Sequence, residues 1–264
     1  MKCKESQISN RVKIIFLGTG EFGRIVLEKL QKAGYEPVSY HLKDIKKIKP
    51  DLVVVSNFGG IIPRELLDIP RFGCINLHPS LLPKYRGSSP IQTVVLNGDK
   101  ETGVTIFLMD AEVDHGPILA QRKTVIGKNE TAAELSERLA VMGADLLIDT
   151  IPDWVKGRIK LRRQDEKRAI YTRKLVRQDG EIDWKKSARK IERQIRAFHP
   201  WPGSYTFYKG KRLKILKARL EKNKLIIEEV QLEGKKPMPF EDFLRGHKDY
   251  VIPQRIKKRS KNNS

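Results

Sequence analysis

The sequence predicts an α/β chain with a mostly parallel sheet, followed by a small β-rich domain. Over the first 160 residues, short β-branched apolar runs alternate with amphipathic helical stretches, the pattern of strands joined by helical crossovers. Past that point the segments become short and alternating, separated by Gly and Pro, as in antiparallel hairpins. The charge changes at the same place: residues 1–160 carry 23 Lys+Arg against 19 Asp+Glu, and residues 161–264 carry 30 against 13.

Val12–Leu17 is a first strand, running into Gly18-Thr19-Gly20-Glu21-Phe22-Gly23 and a helix over Arg24–Lys32 that ends near Gly34. A short strand is expected around Tyr35–His41, then a lysine-rich connection to Pro50. Leu52–Ser56 has the continuous apolar character of a buried parallel strand. Pro63 opens a short helix to Ile69, and Gly73–Leu77 forms the next strand. A helix over Pro90–Leu96 and strands at Val104–Leu108 and Ile118–Ile126 follow. Thr131-Ala-Ala-Glu134 is a capping box that starts another helix. Residues 161–180 are polar, basic and expected to be extended. Ser187 caps a helix running to Ala197, which the His199–Gly203 proline-rich stretch stops. Ser204–Tyr208, Leu213–Leu220 and Leu225–Val230 then alternate as strands, with a turn at Lys209–Lys211. The last residues, 254–264, lack an apolar anchor after Ile256 and are expected to be a disordered basic tail.

Composition excludes several classes. No run of eighteen apolar residues exists and the N-terminus has no apolar signal segment, so a cytoplasmic protein off the membrane is expected, with a monomer as the default. Cys3 and Cys74 match no disulfide framework or metal spacing, so no metal is expected. The net charge of +21 resides mostly in residues 161–264, which suggests that the second part meets a polyanion. The Gly18–Gly23 turn matches a dinucleotide fingerprint, yet neither Glu36 nor Asp44 sits where the acidic ribose partner belongs. Tight strand-to-helix packing is the simpler reading of those glycines.

The stretch Phe72–Gly87, FGCINLHPSLLPKYRG, is the richest in chemistry. Side chains two apart on a strand share a face, so Asn76 and His78 point the same way at a strand's carboxyl end. An amide donor beside an imidazole is a reasonable pair for stabilising an oxyanion. Pro79 ends the strand because it has no N–H to offer. Asp114, in MDAEVDHG, follows Asn76 by 38 residues and offers a carboxylate.

Asn-x-His-Pro-Ser-Leu-Leu-Pro-x-Tyr-Arg-Gly followed by Asp-x-Gly resembles the folate-dependent formyltransferases. The resemblance runs over residues 11–253 and is strongest at 73–119 and 180–203. It implies a Rossmann-like formyltransferase domain and 10-formyltetrahydrofolate as formyl donor. Asn76, His78 and Asp114 would be catalytic. Main-chain groups of Gly60, Ile61 and Ile62 would meet the pterin, and Ser80, Leu81, Leu82 and Pro83 would wall the folate site. Gly180–Trp184 and Ile195–Gly203 look like the branch that acts on methionyl-tRNA, where they lead into a small OB-like domain that helps hold tRNA. The implied partner is initiator methionyl-tRNA; an amino-sugar N-formyltransferase, which shares the long motif, is the alternative. On this basis residues 1–165 form the catalytic domain, 166–198 a linker and helix, 199–253 the OB-like domain and 254–264 the tail. Three features depart from that pattern. Residues 41–50 are shorter than the basic loop such enzymes carry there, the C-terminal domain is abbreviated, and His115 replaces a small hydroxyl residue.

Overall fold

The structure is a computed structural model that describes residues 12–253 of the 264-residue chain. Those residues form two compact units, one of 12–94 and 99–174, the other of 95–98 and 175–253.

The first unit is built on a five-stranded sheet in the order β1 (Ile14–Gly18), β2 (Leu52–Ser56), β3 (Cys74–His78), β5 (Glu101–Leu108), β6 (Ile118–Val125). The first three pair in parallel, and β5 is antiparallel to both β3 and β6. Four of the five strands therefore run one way, as expected of a mostly parallel sheet. The two-residue β4 (Arg86–Gly87) lies outside it. Helices α1 (Gly20–Lys32), α2 (Asp44–Ile48), α3 (Arg64–Leu67), α4 (Pro90–Asn97) and α5 (Ala132–Val155) connect the strands. The capping box at Thr131 is present: Glu134 N–H donates to the Thr131 hydroxyl and Thr131 N–H to the Glu134 carboxylate. On one face of the sheet Ile15, Leu17, Val53, Val55 and Cys74 pack beneath Leu66 and Leu67 of α3.

Tyr35–His41 is not a strand. It makes one parallel bridge, Ser39 to Ile15, held by Phe16 N–H to the Ser39 carbonyl and Val38 N–H to that of Ile14. Pro37 has no N–H to extend the ladder, and although Tyr35 and Ser39 are buried, Val38 and Tyr40 are exposed. The lysine-rich connection after it contains α2, pinned by fully buried Ile45 while Lys43, Lys46, Lys47 and Lys49 stay exposed.

Residues 158–174 group with the first unit, past the boundary expected at 165. Arg162 bridges Ile118 at the outer edge of β6, and β7 (Tyr171–Thr172) pairs in parallel with β4. The segment is a strap, ordered by backbone and charged contacts, which apolar periodicity does not reveal.

In the second unit α6 (Ala188–Ala197) starts at Ser187, whose hydroxyl accepts from Lys190 N–H. The antiparallel sheet runs β11 (Met238–Pro239), β10 (Lys224–Leu232), β9 (Lys211–Glu221), β8 (Ser204–Tyr208), where the OB-like domain was expected. Ile191 and Ile195 of α6 bury against Leu213, Ile215 and Val230. A short helix, α7 (Phe240–Gly246), was not evident in the sequence; Phe243 anchors it by stacking on His247 and meeting Tyr208 and Tyr250 edge-on. Among the described residues no helix is long and apolar enough to cross a membrane. The expected basic tail, 254–264, lies outside the described residues, as does Cys3.

Candidate active site

Strand β3 sits between β2 and β5, and its alternation sorts its side chains. Asn76 stands opposite Val55 on β2 and Phe107 on β5, and His78 opposite Thr105. Cross-strand partners share a face, so Asn76, His78, Thr105 and Phe107 project from the same side of the sheet. The intervening Leu77 packs on the other side, against α5 at Gly143.

His78 is buried, at 4% exposure. Its Nε2 lies 2.9 Å from the Tyr85 carbonyl oxygen. A carbonyl only accepts, so the proton resides on Nε2. Nδ1 then faces Asp114, with 3.5 Å to Oδ2. That is beyond a direct hydrogen bond, and a proton arriving on Nδ1 would sit between imidazole and carboxylate. Asp114 is held firmly. Its backbone is left-handed, with φ 50°, and Oδ2 accepts from Gly87 N–H at 2.7 Å. Gly87 admits no side chain: φ is 100°, and a Cβ would lie 2.4 Å from the Thr172 carbonyl oxygen. The three predicted groups are thus on one sheet edge, with His78 and Asp114 facing each other. Asn76 is half-buried, and its side-chain amide has no hydrogen bond among the described residues. An amide donor left uncommitted beside a buried imidazole suits a site where negative charge develops on oxygen.

The loop between β3 and β4 is braced throughout. The Ser80 hydroxyl donates to the Lys84 carbonyl at 2.6 Å, and the Thr105 hydroxyl to the Ser80 carbonyl at 2.6 Å. Leu82 N–H donates to the Thr105 hydroxyl, and the Gln121 amide to the Leu82 carbonyl. Ser80 is buried and its hydroxyl committed, so its part is to hold the loop. Leu82 is buried against Phe107 and Ile118. Leu81 and Pro83 line a pocket with residues of the strap. In the turn after β2, Ile61 is 87% exposed, while Ile62 is anchored in the apolar cluster with Leu66 and Leu67. Asn57 ties this turn to the Gly18–Gly20 turn, donating from its side chain to the Thr19 carbonyl and accepting the Thr19 hydroxyl on its own.

Sequence reasoning missed the strap residues that hold this edge. Arg86 is fully buried and makes a charge-assisted fork to Glu166, at 2.8 and 2.7 Å. It also donates to the Tyr171 hydroxyl and to the Gln164 side-chain oxygen. Gln164 in turn donates to the carbonyls of Asp114 and Gly116, both at 2.8 Å. The Arg86 guanidinium holds the Glu166 carboxyl below the usual carboxylate range. His115 Nδ1 lies 2.6 Å from Asp110 Oδ2, and Nε2 lies 3.5 Å from Glu166 Oε1. The hydrogen bond to Asp110 raises the His115 imidazole above its ordinary value. His115 therefore braces the loop that carries Asp114. Only Arg86, within Tyr-Arg-Gly, carried a sequence signal; Gln164 lies 78 residues further on.

Comparison with known proteins identifies the family. The Formyl transferase family profile matches residues 8–151, and the profile of the Formyl transferase C-terminal domain matches residues 174–225. The chain is 38% identical over 251 residues to a methionyl-tRNA formyltransferase of Citrifermentans bemidjiense, covering 85% of this chain and 79% of that one. It is 34% identical over 297 residues to the methionyl-tRNA formyltransferase of Geobacter sulfurreducens, covering 89% and 94%. Among solved structures, the methionyl-tRNA formyltransferase of Clostridium thermocellum superposes with a TM-score of 0.66 at 21% identity, over 84% of this chain and 98% of that one. HypX of Aquifex aeolicus, solved with tetrahydrofolic acid, gives 0.71 at 16% identity, over 88% and 47%.

Proposed function

The chain belongs to the formyltransferase family, and from that premise we propose that it formylates the α-amino group of methionyl-tRNA, with Asn76, His78 and Asp114 as its catalytic groups. The relatives at 34% and 38% identity carry that activity in their names. The excess of 30 Lys+Arg over 13 Asp+Glu in residues 161–264 suits a phosphate-rich acceptor.

The formyl donor is a folate derivative, 10-formyltetrahydrofolate, which supplies an already activated one-carbon group. The exposed backbone of Gly60 and Ile61 and the uncommitted Asn76 amide fit such a donor. Gly60 and Ile61 offer main-chain groups to the pterin, with Ile62 anchoring their turn, and Leu81 and Pro83 offer apolar contact; Ser80 and Leu82 serve from within the loop.

One observation carries the chemistry: an unpartnered amide and a buried imidazole on one strand face, with a fixed carboxylate behind the imidazole. The transfer forms a bond from the acceptor nitrogen to the formyl carbon and breaks the one to N10. Asn76 donates to the formyl oxygen as it gains charge. His78 stabilises the same charge, and Asp114 fixes the ring and balances a proton on Nδ1. Together they relay the proton lost by the amine towards N10.

The test is formyl transfer from 10-formyltetrahydrofolate to purified methionyl-tRNA, with nucleotide-linked amino sugars in parallel. Formylation of methionyl-tRNA that weakens as salt rises is expected. Transfer to an amino sugar alone would overturn the acceptor while leaving the catalytic trio standing.

A further inference from the structure

Tyr85 takes a backbone conformation that its residue type disfavours. Its φ is 64°, in the left-handed region that glycine enters freely and a bulky side chain seldom does. Such a residue persists where its surroundings over-determine it, and here they act on both the side chain and the main chain. The ring is buried, and its hydroxyl donates to Asp99 Oδ2 at 2.9 Å. Lys84 Nζ lies 4.7 Å from the ring centroid and pairs with the same carboxylate oxygen. Asp99 stands between α4 and β5, where its own N–H donates to the Val94 carbonyl at 3.1 Å.

The peptide that joins Tyr85 to Arg86 is bonded through both of its polar groups. Arg86 N–H donates to the Ile170 carbonyl at 2.8 Å, and the Tyr85 carbonyl accepts from His78 Nε2 at 2.9 Å. Turning that peptide would break both bonds. A neutral imidazole carries one N–H proton, and two acceptors compete for it: this carbonyl at Nε2, and the Asp114 carboxylate 3.5 Å from Nδ1. The shorter approach gives the proton to the carbonyl side and leaves the Nδ1 lone pair towards Asp114. Nδ1 is the atom on which a proton arrives during the transfer proposed above. A proton already resting there would close that position.

We propose that Asp99 is a positioning residue for formyl transfer: by gripping the Tyr85 hydroxyl it keeps the Tyr85 carbonyl on His78 Nε2, and so keeps Nδ1 open to the proton. The side-chain partners of Asp99 are Lys84 and Tyr85, so it acts through Tyr85. A glycine at position 85 would hold the same backbone without strain; a tyrosine there is accounted for by what its hydroxyl reaches. The proposal rests on the role given to His78 in formyl transfer.

The test uses full-length Tyr85→Phe, Asp99→Ala and Asp99→Asn. Tyr85→Phe keeps the ring and removes only the hydroxyl, so it decides the matter even where Asp99→Ala fails to fold. For each protein, kcat and KM of formyl transfer are measured beside the melting temperature. Nitrogen–proton correlation spectra of histidine-labelled protein report the tautomer, with His78→Gln identifying the His78 signals among those of the five histidines. At a pH where the imidazole is neutral, the wild type is expected to show the Nε2–H form. Tyr85→Phe and Asp99→Ala should gain the Nδ1–H form and lose kcat on the order of tenfold, part of the roughly 10²–10⁴-fold that positioned proton transfer contributes. KM for donor and acceptor should stay unchanged. Asp99→Asn still accepts the Tyr85 hydroxyl and should recover the Nε2–H form and most of the turnover. Wild-type spectra and kcat in Tyr85→Phe would overturn the proposal and leave the clamp a structural tie. A fall in kcat with the Nε2–H form intact would overturn it too, as would a shifted tautomer at wild-type kcat. Where formyl passes to an amino sugar alone, the acceptor reading fails, and kcat with that acceptor decides the proposal. A wild type that transfers formyl to neither acceptor removes the role of His78, and the proposal with it.

Discussion

Replacing Gln164 separates what holds the strap from what positions Asp114, the carboxylate proposed to be catalytic. Its amide donates two bonds of 2.8 Å, to the carbonyls of Asp114 and Gly116, and its oxygen accepts two from Arg86, at 3.1 and 2.9 Å. Gln164→Ala loses all four. Each neutral bond contributes about 1 kcal/mol net, and the bonds from a charged donor about 2 kcal/mol together. Arg86 keeps Glu166 and Tyr171, so its charge stays paired. Water reaches the half-buried side chain and offsets part of the loss, leaving about 2–3 kcal/mol. At roughly 2–4 °C per kcal/mol for a chain of this size, the melting temperature should fall by about 5–10 °C. Freed from Gln164, the loop bearing Asp114 shifts, and a displacement of about 1 Å at a catalytic group costs on the order of 10²-fold. Gln164→Glu is the discriminating variant. It still accepts from Arg86, now as a charged pair, but cannot donate to either carbonyl, so the melting temperature should fall by less than in the alanine variant while kcat falls at least as far. Formylation kinetics under saturating substrates, beside thermal melts, read both quantities. Wild-type kcat in Gln164→Glu would refute the positioning argument and leave Gln164 a purely structural tie.

Other consequences test separate parts of the site. Asn76→Ala should melt like the wild type, because the amide it removes has no partner, yet lose about 10²–10³ in turnover; near-normal kcat would remove Asn76 from the mechanism. The His115 imidazole is raised by its hydrogen bond to Asp110. Its contribution to stability is therefore fully present below the ordinary imidazole value and is lost as pH climbs through the raised folded value. Chemical denaturation across that window should show a decline that His115→Gln flattens, and identical profiles would exclude the coupling. Burial, reinforced by Asp68, pushes the Cys74 thiol up to about 12. In a Cys3→Ser background the folded protein should resist a disulfide reagent at pH 8 and react once unfolded; prompt reaction of the native protein would contradict the buried placement.

Several elements were legible because their cause is local. The continuous apolar run of β2, the capping box at Thr131 and the Ser187 cap each declare themselves within a few residues, and each is where the sequence put it. The face shared by Asn76 and His78 follows from the two-residue period of a strand. By contrast, Tyr35–His41 has strand-like composition but no partner beyond one bridge, since strand formation depends on neighbours that the segment does not itself encode. Helix α7 was hidden because its anchor is an aromatic cluster assembled from Tyr208, Phe243 and Tyr250, residues distributed over more than one element.

By itself, then, the sequence determined the strand that carries the amide and imidazole, the motif spacing that supplies Asp114, and the basic balance of the second part. Tertiary structure decided how those groups are held. A polar, basic segment at 158–174 has no period to betray it, yet it closes over the first unit because buried Arg86 needs Glu166, the Asp114 and Gly116 carbonyls need Gln164, and β4 needs β7. Such obligations arise between groups 48 to 85 residues apart and come into being only when the chain has folded and water has left them.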